Sequence, residues 1–289
     1  MTQGARLGII GGTGLYAMEG LTGLRRVEID TPFGPPSDAI ALGDLDGTPV
    51  AFIPRHGRSH RLPPGEIPYQ ANVFALKELG VERLVSVSAV GSLREDVAPL
   101  DLLVPDQLID RTRLRPATFF GDGLAVHVSM ADPYCPDLSH AVAGAARAEG
   151  ATVHEGGTYV VMEGPAFSTR AESQVHRSWG ASIIGMTGLP EATLAREAEM
   201  CYATLACITD YDVWREDDEG VSVDMVLANL KANAASSQRA LRGLVPLLAE
   251  GDRTCSCGSA LATAIATDRE SIPSATLTRL GPLVAKYIR

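Results

Sequence analysis

The sequence predicts an α/β fold, a single domain with a mixed, mostly parallel central sheet flanked by helices. Strand-length apolar stretches alternate with helical patterns along the 289 residues, and this order is typical of parallel sheets covered by helices. The composition, 45% hydrophobic and 21% charged, is that of an ordinary globular protein. Because no repeat, low-complexity segment or linker divides the chain, we expect one domain over 1–289, with 252–289 as a helical C-terminal extension that carries Cys-x-Cys.

The first half of the chain contains five predicted segments. They are a strand with a glycine turn at 6–15, a strand with a basic loop at 48–57, a helix at 69–80, a strand at 82–93, and a strand at 101–109 that Pro105 interrupts. The helix prediction depends on apolar residues at helical spacing, and Gly80 is a typical C-terminal stop. Residues 110–136 lack periodicity and predict a long functional loop.

The second half continues the alternation. Its predicted segments are a helix at 137–149, a strand at 156–164, a helix from 169, a strand at 181–186, a helix near Pro190, a strand from 206, a helix at 223–248, and one or two helices after 252. Thr169 and Glu172 form the S/T-x-x-E pattern of a capping box. Pro190 suits the first turn of a helix.

Charge and hydropathy exclude several classes of function. The formal net charge of -10 argues against a general nucleic-acid binder or a membrane-surface binder. No signal peptide is recognisable, and no apolar run approaches the roughly 18 residues that cross a bilayer. We therefore expect a soluble, cytoplasmic protein. Because an acidic protein that binds an anion must concentrate its few basic groups locally, a cluster of basic residues is informative about such a site.

Small, hydroxylated and charged residues gather where the predicted strands end, which is where ligands bind in such sheets. The turn "GGTG" at 11–14 offers backbone N–H groups and the Thr13 hydroxyl to a phosphate, although a plain strand-to-helix turn explains the glycines equally well. Gly12-x-Gly14-x-x-Ala17 also fits a variant of the dinucleotide fingerprint, with Asp30 as the ribose-binding acid. The segment after Gly14 is, however, a poor helix.

A basic loop, "RHGRSHR" at 55–61, places three arginines and two histidines in seven residues. It predicts an anion site, because the guanidinium fork suits phosphate oxygens; a solvated basic loop is the alternative. Ser88 and Thr187 end two further strands. With Thr13 and Arg55 they could enclose one tetrahedral oxyanion.

The strand "ACITDYDVW" ends in two carboxylates, Asp210 and Asp212. Both acids point the same way if the strand extends to Asp212, since strand side chains alternate between faces. Ionised carboxylates only accept hydrogen bonds, so the pair predicts a cation, a metal or a ligand edge rich in N–H groups. It favours a 6-aminopurine over a 6-oxopurine. A solvated strand end is the alternative, and a metal lacks a third ligand at a recognisable spacing.

The five cysteines fall into two groups. Cys135, Cys201 and Cys207 are scattered, and we expect them to pack in the core. Cys255 and Cys257 are too close for a two-cysteine zinc knuckle, and no second pair completes four ligands. A reducing cytosol favours thiols, with a structural or redox bond between these two as the alternative.

From Leu7 to about Leu248 the chain resembles the methylthioadenosine phosphorylase family, of the trimeric class of purine nucleoside phosphorylases. The motifs that carry the resemblance are "GIIGGTGL", "RHGRSH", "YQANVFALKELG", "GSLRED", "QLIDRT", "RPATFF", "MADPYCP", "MEGPAFSTRAES", "GMT", "PEATLAREAEMCYA" and "TDYDVW". The Cys-x-Cys tail resembles that of archaeal and some bacterial members, where it can form a disulfide.

The resemblance implies a nucleoside phosphorylase domain and a pentosyltransferase that splits 5′-methylthioadenosine with inorganic phosphate as co-substrate. No metal or organic cofactor is implied. A homotrimer is implied, with a hexamer left open. It also assigns the site. Phosphate would be bound by Thr13, Arg55, His56, Ser88, Ala89 and Thr187. Asp210 and Asp212 would take N7 and N6 of adenine. The rest of the nucleoside would meet Phe167, Ser168, Met186, Val223, Val226 and, from a neighbouring subunit, His127.

Two departures from the family pattern are visible. Ser88 stands where relatives often have threonine, and Ala166 stands where they often have arginine. The alternatives to this function are a phosphorylase of adenosine or 6-oxopurine nucleosides, an NAD(P)-binding oxidoreductase, and a non-catalytic nucleotide-binding protein. An NAD(P)-binding oxidoreductase would leave the basic loop and the acid pair unexplained, whereas a nucleotide-binding protein would bind adenosine compounds without turnover.

Overall fold

The computed structural model describes residues 5–12, 18–215, 223–249 and 253–288. The strands are β1 Leu7–Gly11, β2 Leu21–Val27, β3 Ile40–Leu45, β4 Thr48–Pro54, β5 Arg83–Ser92, β6 Leu102–Val104, β7 Gln107–Arg111, β8 Val153–Glu155, β9 Thr158–Met162, β10 Ala181–Gly185 and β11 Cys201–Asp210. The α-helices are α1 Tyr69–Glu78, α2 Pro136–Ala148, α3 Arg170–Ser178, α4 Glu191–Glu197, α5 Val223–Ala249 and α6 Ser274–Val284.

All described strands join one sheet, which confirms the predicted fold class. Its main path is β2-β3-β4-β1-β5-β10-β9-β7, and β11 pairs with β5 and with β6. Parallel pairings outnumber antiparallel ones by six to four. Strand β5 is the junction, because β1, β10 and β11 all pair with it. Strand β1 pairs with the first half of β5, and at the end of β5 Gly91 lies between β10 and β11.

The central strands are apolar on both faces because helices cover both. Ile10 packs in a core with residues of α1, α4 and α6. Its neighbour Ile9 packs on the opposite side with residues of α2 and α5. This alternation follows from the pleat of a strand. It leaves the ends of the strands as the place where polar groups can gather.

Two predicted helix ends have the expected hydrogen bonds. Gly80 has φ +86, and the N–H groups of Gly80 and Val81 donate to Lys77 O and Leu76 O, which is a Schellman motif at the end of α1. Both halves of the capping box between Thr169 and Glu172 are present at the start of α3. The capping box therefore ends the loop before α3 at Thr169.

The sequence did not predict β2, β3 or β8. Strand β2 is largely exposed and contains Gly23 and two arginines, so its pattern is not that of a buried strand. Strand β8 has only three residues. The stretch predicted at 101–109 forms two strands, β6 and β7, which separate after Val104 as Pro105 predicted. Among the described helices, none is both long enough and apolar enough to span a membrane.

Candidate active site

The two carboxylates at the end of β11 lie together, but not for the predicted reason. The strand ends at Asp210, and Asp212 has a left-handed backbone with φ 54. Strand alternation therefore does not explain why the two acids lie together. Instead the chain turns, and the Asp212 N–H donates to Asp210 Oδ1 at 2.7 Å. The Thr209 hydroxyl donates to Asp210 Oδ2 at 2.7 Å.

Gly91 of β5 makes room for this acid pair. A Cβ at Gly91 would lie 2.8 Å from Asp210 Oδ1 and 3.3 Å from Asp212 Cβ. Both acids thus pack directly over one residue of the junction strand. The register explains this, since Asp210 is opposite Gly91 after an irregularity beyond Ile208.

Asp212 is buried with an unused acceptor. It is 6% exposed, and its Oδ2 has no hydrogen-bond partner among the residues that the structure describes. Burial raises the pKa of Asp212, and the nearby hydroxyls of Ser173 and Ser168 offset only part of this. A buried carboxylate oxygen without a partner is costly. Its position is explained if a ligand supplies a donor there.

Buried hydroxyls line the neighbouring part of β5. The Thr187 hydroxyl donates to Ser88 Oγ at 2.9 Å, and Ser88 Oγ lies 3.3 Å from Ser86 Oγ. Strand β10 runs antiparallel to the end of β5, with Ile184 opposite Gly91, so the chain that continues from β10 passes Ser88. The predicted convergence of Ser88 and Thr187 is therefore present. Ala89 follows Ser88 and is partly exposed.

The Arg55 guanidinium is buried at the end of β4 and is held by protein groups. Its Nε and Nη2 donate to the Glu191 carboxylate at 2.5 and 3.1 Å, and Nη2 donates to Ser86 Oγ at 2.6 Å. Burial alone would lower the pKa of Arg55, but the Glu191 charge raises this pKa above its ordinary value. Arg55 thus connects the basic loop to the row of hydroxyls. Its direct contact with phosphate stays a prediction.

His56 is neutral at neutral pH. Burial, with the Arg55 charge beside it, lowers the pKa of His56 to about 4. Nδ1 lies 2.9 Å from Leu62 O; because a carbonyl only accepts, Nδ1 carries the proton and Nε2 is an acceptor. The ring stacks on His60 with centroids 4.0 Å apart.

The loop between β9 and α3 carries the predicted base-side residues. Phe167 is 43% exposed and Ser168 is buried; the Ser168 hydroxyl is one of the two that lower the pKa of Asp212. Met186 packs against this loop, since a Cβ at Gly164 would lie 2.6 Å from Met186 Sδ. Ser168 and the acid pair are therefore neighbours.

The remaining predicted residues are spread more widely. Val223 is the first residue of α5 and is 60% exposed. His127 is exposed, and its backbone N–H donates to Ala264 O at 2.9 Å. Thr13 lies outside the described residues, and so does the side chain of Val226 within α5. The structure gives no contact between His127 and the acid pair.

Arg115 is a buried residue that the sequence analysis missed. Its Nη1 donates to Met186 O at 2.8 Å and to Leu189 O at 2.7 Å, and its Nη2 donates to Glu163 O at 2.7 Å. It therefore ties the long loop to the segments that carry Thr187 and Phe167. The signal in the sequence was the motif "RPATFF", to which no role was given.

The rival dinucleotide fingerprint is not followed by a helix in the described residues from 18 onward. That fingerprint needs a helix directly after the glycine turn. The described residues that follow form a turn at 19–20 and then the strand β2. Asp30 lies in an exposed loop beyond that strand.

Comparison with known proteins gives a consistent result. A family model described as "Phosphorylase superfamily" matches residues 6–246. The S-methyl-5'-thioadenosine phosphorylase of Geobacter sulfurreducens is 52% identical over 283 residues, covering 98% of this chain and 99% of that protein. The protein of the same name from Gloeobacter violaceus is 54% identical over 287 residues, covering 98% and 96%.

Solved structures agree with these relatives. A methylthioadenosine phosphorylase from an antarctic soil metagenomic library has a TM-score of 0.93 at 50% identity, covering 98% of this chain and 99% of that chain. The Schistosoma mansoni methylthioadenosine phosphorylase in complex with adenine has a TM-score of 0.84 at 35% identity, covering 90% and 98%. The resemblance read from the motifs is thereby confirmed, and the chain belongs to the phosphorylase superfamily.

Proposed function

We propose that this chain catalyses the phosphorolysis of 5′-methylthioadenosine to adenine and 5-methylthioribose 1-phosphate. The single observation that carries the proposal is the buried acid pair, in which Asp212 Oδ2 lacks a partner among the described residues. The printed names of relatives that share half of their residues with this chain support the substrate.

The geometry of β5 suits a nucleoside between phosphate and the acid pair. Ser88 and Gly91 are three residues apart in this strand, a distance of about 10 Å along an extended chain. Phosphate at the Ser88 end and purine at the Gly91 end would leave the ribose between them. Met186, which lies between β10 and Thr187, would meet the sugar.

On the phosphate side, the hydroxyls of Ser88, Thr187 and Thr13 would donate to phosphate oxygens, with the N–H of Ala89. Arg55 would contribute positive charge while Glu191 keeps its fork in place. The His56 ring, which accepts at Nε2, suits the O–H of monoprotonated phosphate. Phosphate held beneath the sugar would stabilise the positive charge that develops at C1′ and then bond to that carbon.

On the base side, cleavage of the C–N bond places negative charge on the purine. Asp210 would share a proton with N7, and Asp212 Oδ2 would accept from the N6 amino group. Because burial raises the pKa of Asp212, this carboxyl holds a proton more readily than an exposed carboxyl does. General acid help of this kind is worth roughly 10²–10⁴ in rate.

The 5′ side of the site is open in the single chain, since Phe167 and Val223 are 43% and 60% exposed. We propose that Phe167 and Ser168 border the base, that Val223 and Val226 line the methylthio pocket, and that His127 from a neighbouring subunit closes it. This contact requires an oligomer, and we propose the homotrimer that the family resemblance implies. No metal or organic cofactor takes part in the proposed chemistry, and cytoplasmic location stays a prediction.

The runner-up substrate is a 6-oxopurine nucleoside. Ionised carboxylates cannot donate a hydrogen bond to O6. An asparagine amide could donate one, but Asp210 and Asp212 are both acids. The acid pair therefore favours a 6-aminopurine.

The test is to incubate the protein with 5′-methylthioadenosine or inosine, with and without inorganic phosphate, and to measure free base and sugar phosphate. We expect adenine and 5-methylthioribose 1-phosphate in equal amounts, only when phosphate is present. Release of base without phosphate would indicate a hydrolase. Release from inosine alone would overturn the assignment of the acid pair, and binding without turnover would indicate a nucleotide-binding protein.

A further inference from the structure

Four of the five cysteines converge at one place, far apart though they are in sequence. Cys135 directly precedes α2, and Cys201 is the first residue of β11. Cys255 and Cys257 flank the start of a 3-10 turn at Ser256–Ser259. Their four Sγ atoms all lie within 4.8 Å of one another. The cluster is thus built by three separate elements.

The spacing of these sulfurs suits one tetrahedral metal ion. Zinc–thiolate bonds of about 2.3 Å place the sulfurs of a four-thiolate site about 3.8 Å apart. The Cys201 and Cys255 sulfurs are 3.3 Å apart, and every pair lies within 4.8 Å. The sulfur–sulfur distance of a tetrahedral four-thiolate site, about 3.8 Å, lies between these two values. We propose that Cys135, Cys201, Cys255 and Cys257 form a structural zinc site.

The backbone brings both cysteines of the C-x-C to the same side. Cys255 is extended, with φ -76 and ψ 163. Ser256 and Cys257 then begin the 3-10 turn, and this change of backbone from extended to helical leaves the sulfurs of Cys255 and Cys257 in the same cluster. The objection raised from the sequence was that no second pair completes four ligands; the fold supplies that pair as Cys135 and Cys201. The proposal therefore departs from the expectation that the chain has no metal site.

Burial and charge also suit a closed structural site. Cys135, Cys201 and Cys257 are 1–3% exposed, whereas Cys255 is partly exposed and gives an entry path. Binding follows the balance Zn²⁺ + 4 RSH → [Zn(SR)4]²⁻ + 4 H⁺, so the site carries two negative charges. The Arg196 Nη1 lies 3.9 Å from Cys257 Sγ and offsets part of that charge. Cys135 precedes the first turn of α2, where the helix dipole favours a thiolate.

The zinc would hold the C-terminal segment rather than take part in catalysis. Cys201 and Asp210 are at opposite ends of the ten-residue strand β11, about 30 Å apart along an extended strand. Residues 253–288 form the wall against which the His127 backbone is bound, through Ala264 O. The site would fix that segment to β11 and α2.

The first measurement is the zinc content of protein purified under reducing conditions without a metal-affinity tag. We expect one zinc ion per chain in the wild type and close to none in the double variant Cys255→Ser/Cys257→Ser. Cys207→Ser is the matched control, because Cys207 is buried outside the cluster, with its Sγ 3.1 Å from Ser237 Oγ; it should keep its zinc. Retention of zinc by the double variant would overturn the proposal.

A second measurement needs no variant and so does not depend on folding of the double mutant. Wild-type protein in which cobalt replaces zinc should show the thiolate-to-cobalt charge-transfer band and the strong visible bands of a tetrahedral sulfur site. Removal of the metal by a chelator should lower the midpoint of thermal unfolding and leave kcat at room temperature unchanged. Wild-type protein that takes up no zinc or cobalt when reduced, or that holds two disulfides among these cysteines when purified with zinc, would contradict a metal site.

Discussion

The two sides of the proposed active site, for phosphate and for the base, differ in how their polar groups are hydrogen-bonded. On the phosphate side, Thr187 donates to Ser88, and Arg55 is bound to Glu191 and Ser86. On the base side, Asp212 Oδ2 has no partner within the part of the chain that the structure describes. The hydrogen bonds of the proposed phosphate side therefore also stabilise the fold. On the proposed base side, the buried carboxylate oxygen lacks a hydrogen bond that a ligand would supply. Substitutions on the two sides should therefore fail in different ways.

The largest effect is expected for Asp210→Asn. An amide cannot supply or share the proton at N7, so kcat/KM for 5′-methylthioadenosine should fall by roughly 10²–10⁴. Initial rates of adenine release measure this. Asp30→Asn, in the exposed loop of the rival nucleotide site, should keep the wild-type rate. Unchanged turnover in Asp210→Asn would remove this acid from the mechanism.

Glu191→Gln tests the phosphate side. The change leaves the buried Arg55 cation without its counter-charge, and breaking a buried ion pair costs about 3–5 kcal/mol. We expect a lower free energy of unfolding in urea. Glu82→Gln is the control, because it breaks the exposed pair with Arg6, whose side chains are 53% and 33% exposed, and exposed pairs are worth about 1 kcal/mol or less. Equal losses in both variants would show that the Arg55 pair is not structural.

Gly91→Ala should lower both the stability of the fold and kcat/KM, each to an intermediate extent. The new methyl group would lie 2.8 Å from Asp210 Oδ1, and overpacking of this kind costs about 1–3 kcal/mol. We expect a lower unfolding midpoint and a tenfold or greater loss of kcat/KM, on the order of the rate change that 1.4 kcal/mol gives. Gly144→Ala in α2, where a Cβ meets nothing within 4 Å, should leave the rate unchanged. A fully active Gly91→Ala would show that the acids do not need their present position.

At neutral pH the smallest effect is expected at His56, which contributes a pH dependence of stability below neutral pH. Its pKa is about 4 in the folded protein and 6.5 ordinarily, so the unfolded state binds the proton more readily. The stabilising contribution is present above 6.5 and is lost as pH falls towards 4. His56→Asn keeps an N–H donor for Leu62 O and should flatten the unfolding free energy between these pH values. His60, whose pKa is also lowered by burial, is kept in this variant and accounts for the pH dependence that remains. If the unfolding free energy of the variant changed with pH as much as that of the wild type, His56 would not be its source.

The sequence predicted the elements whose signals are local. The Schellman end at Gly80, the capping box at Thr169 and the split at Pro105 each depend on residues a few positions apart. The position of Arg55 and Asp210 at one edge of the sheet was predictable for a similar reason, because β4 and β11 belong to its parallel part. Thr187 reaches Ser88 differently, since β10 runs antiparallel to β5.

What the sequence did not predict depends on contacts between distant segments. Glu191 becomes the partner of Arg55 only after α4 packs against α1 and β11. Arg115 reaches four backbone carbonyls only through the fold of a long loop. The clustering of Cys135 and Cys201 with the C-x-C has no signal in their spacing. The acid pair was predicted from strand alternation, although a turn at Asp212 is what brings the acids together.

The most direct test of the account is base selectivity in Asp212→Asn. The variant and the wild type are compared on 5′-methylthioadenosine and 5′-methylthioinosine, and the ratio of the two kcat/KM values is measured. If Asp212 Oδ2 accepts from N6, the amide of the variant can donate to O6 instead, and the ratio should shift towards the 6-oxopurine by about tenfold or more, since a polar mismatch at a buried site is worth more than about 1.4 kcal/mol. If both rates fall and their ratio stays at the wild-type value, Asp212 does not contact the base, and the proposed acid clamp is wrong.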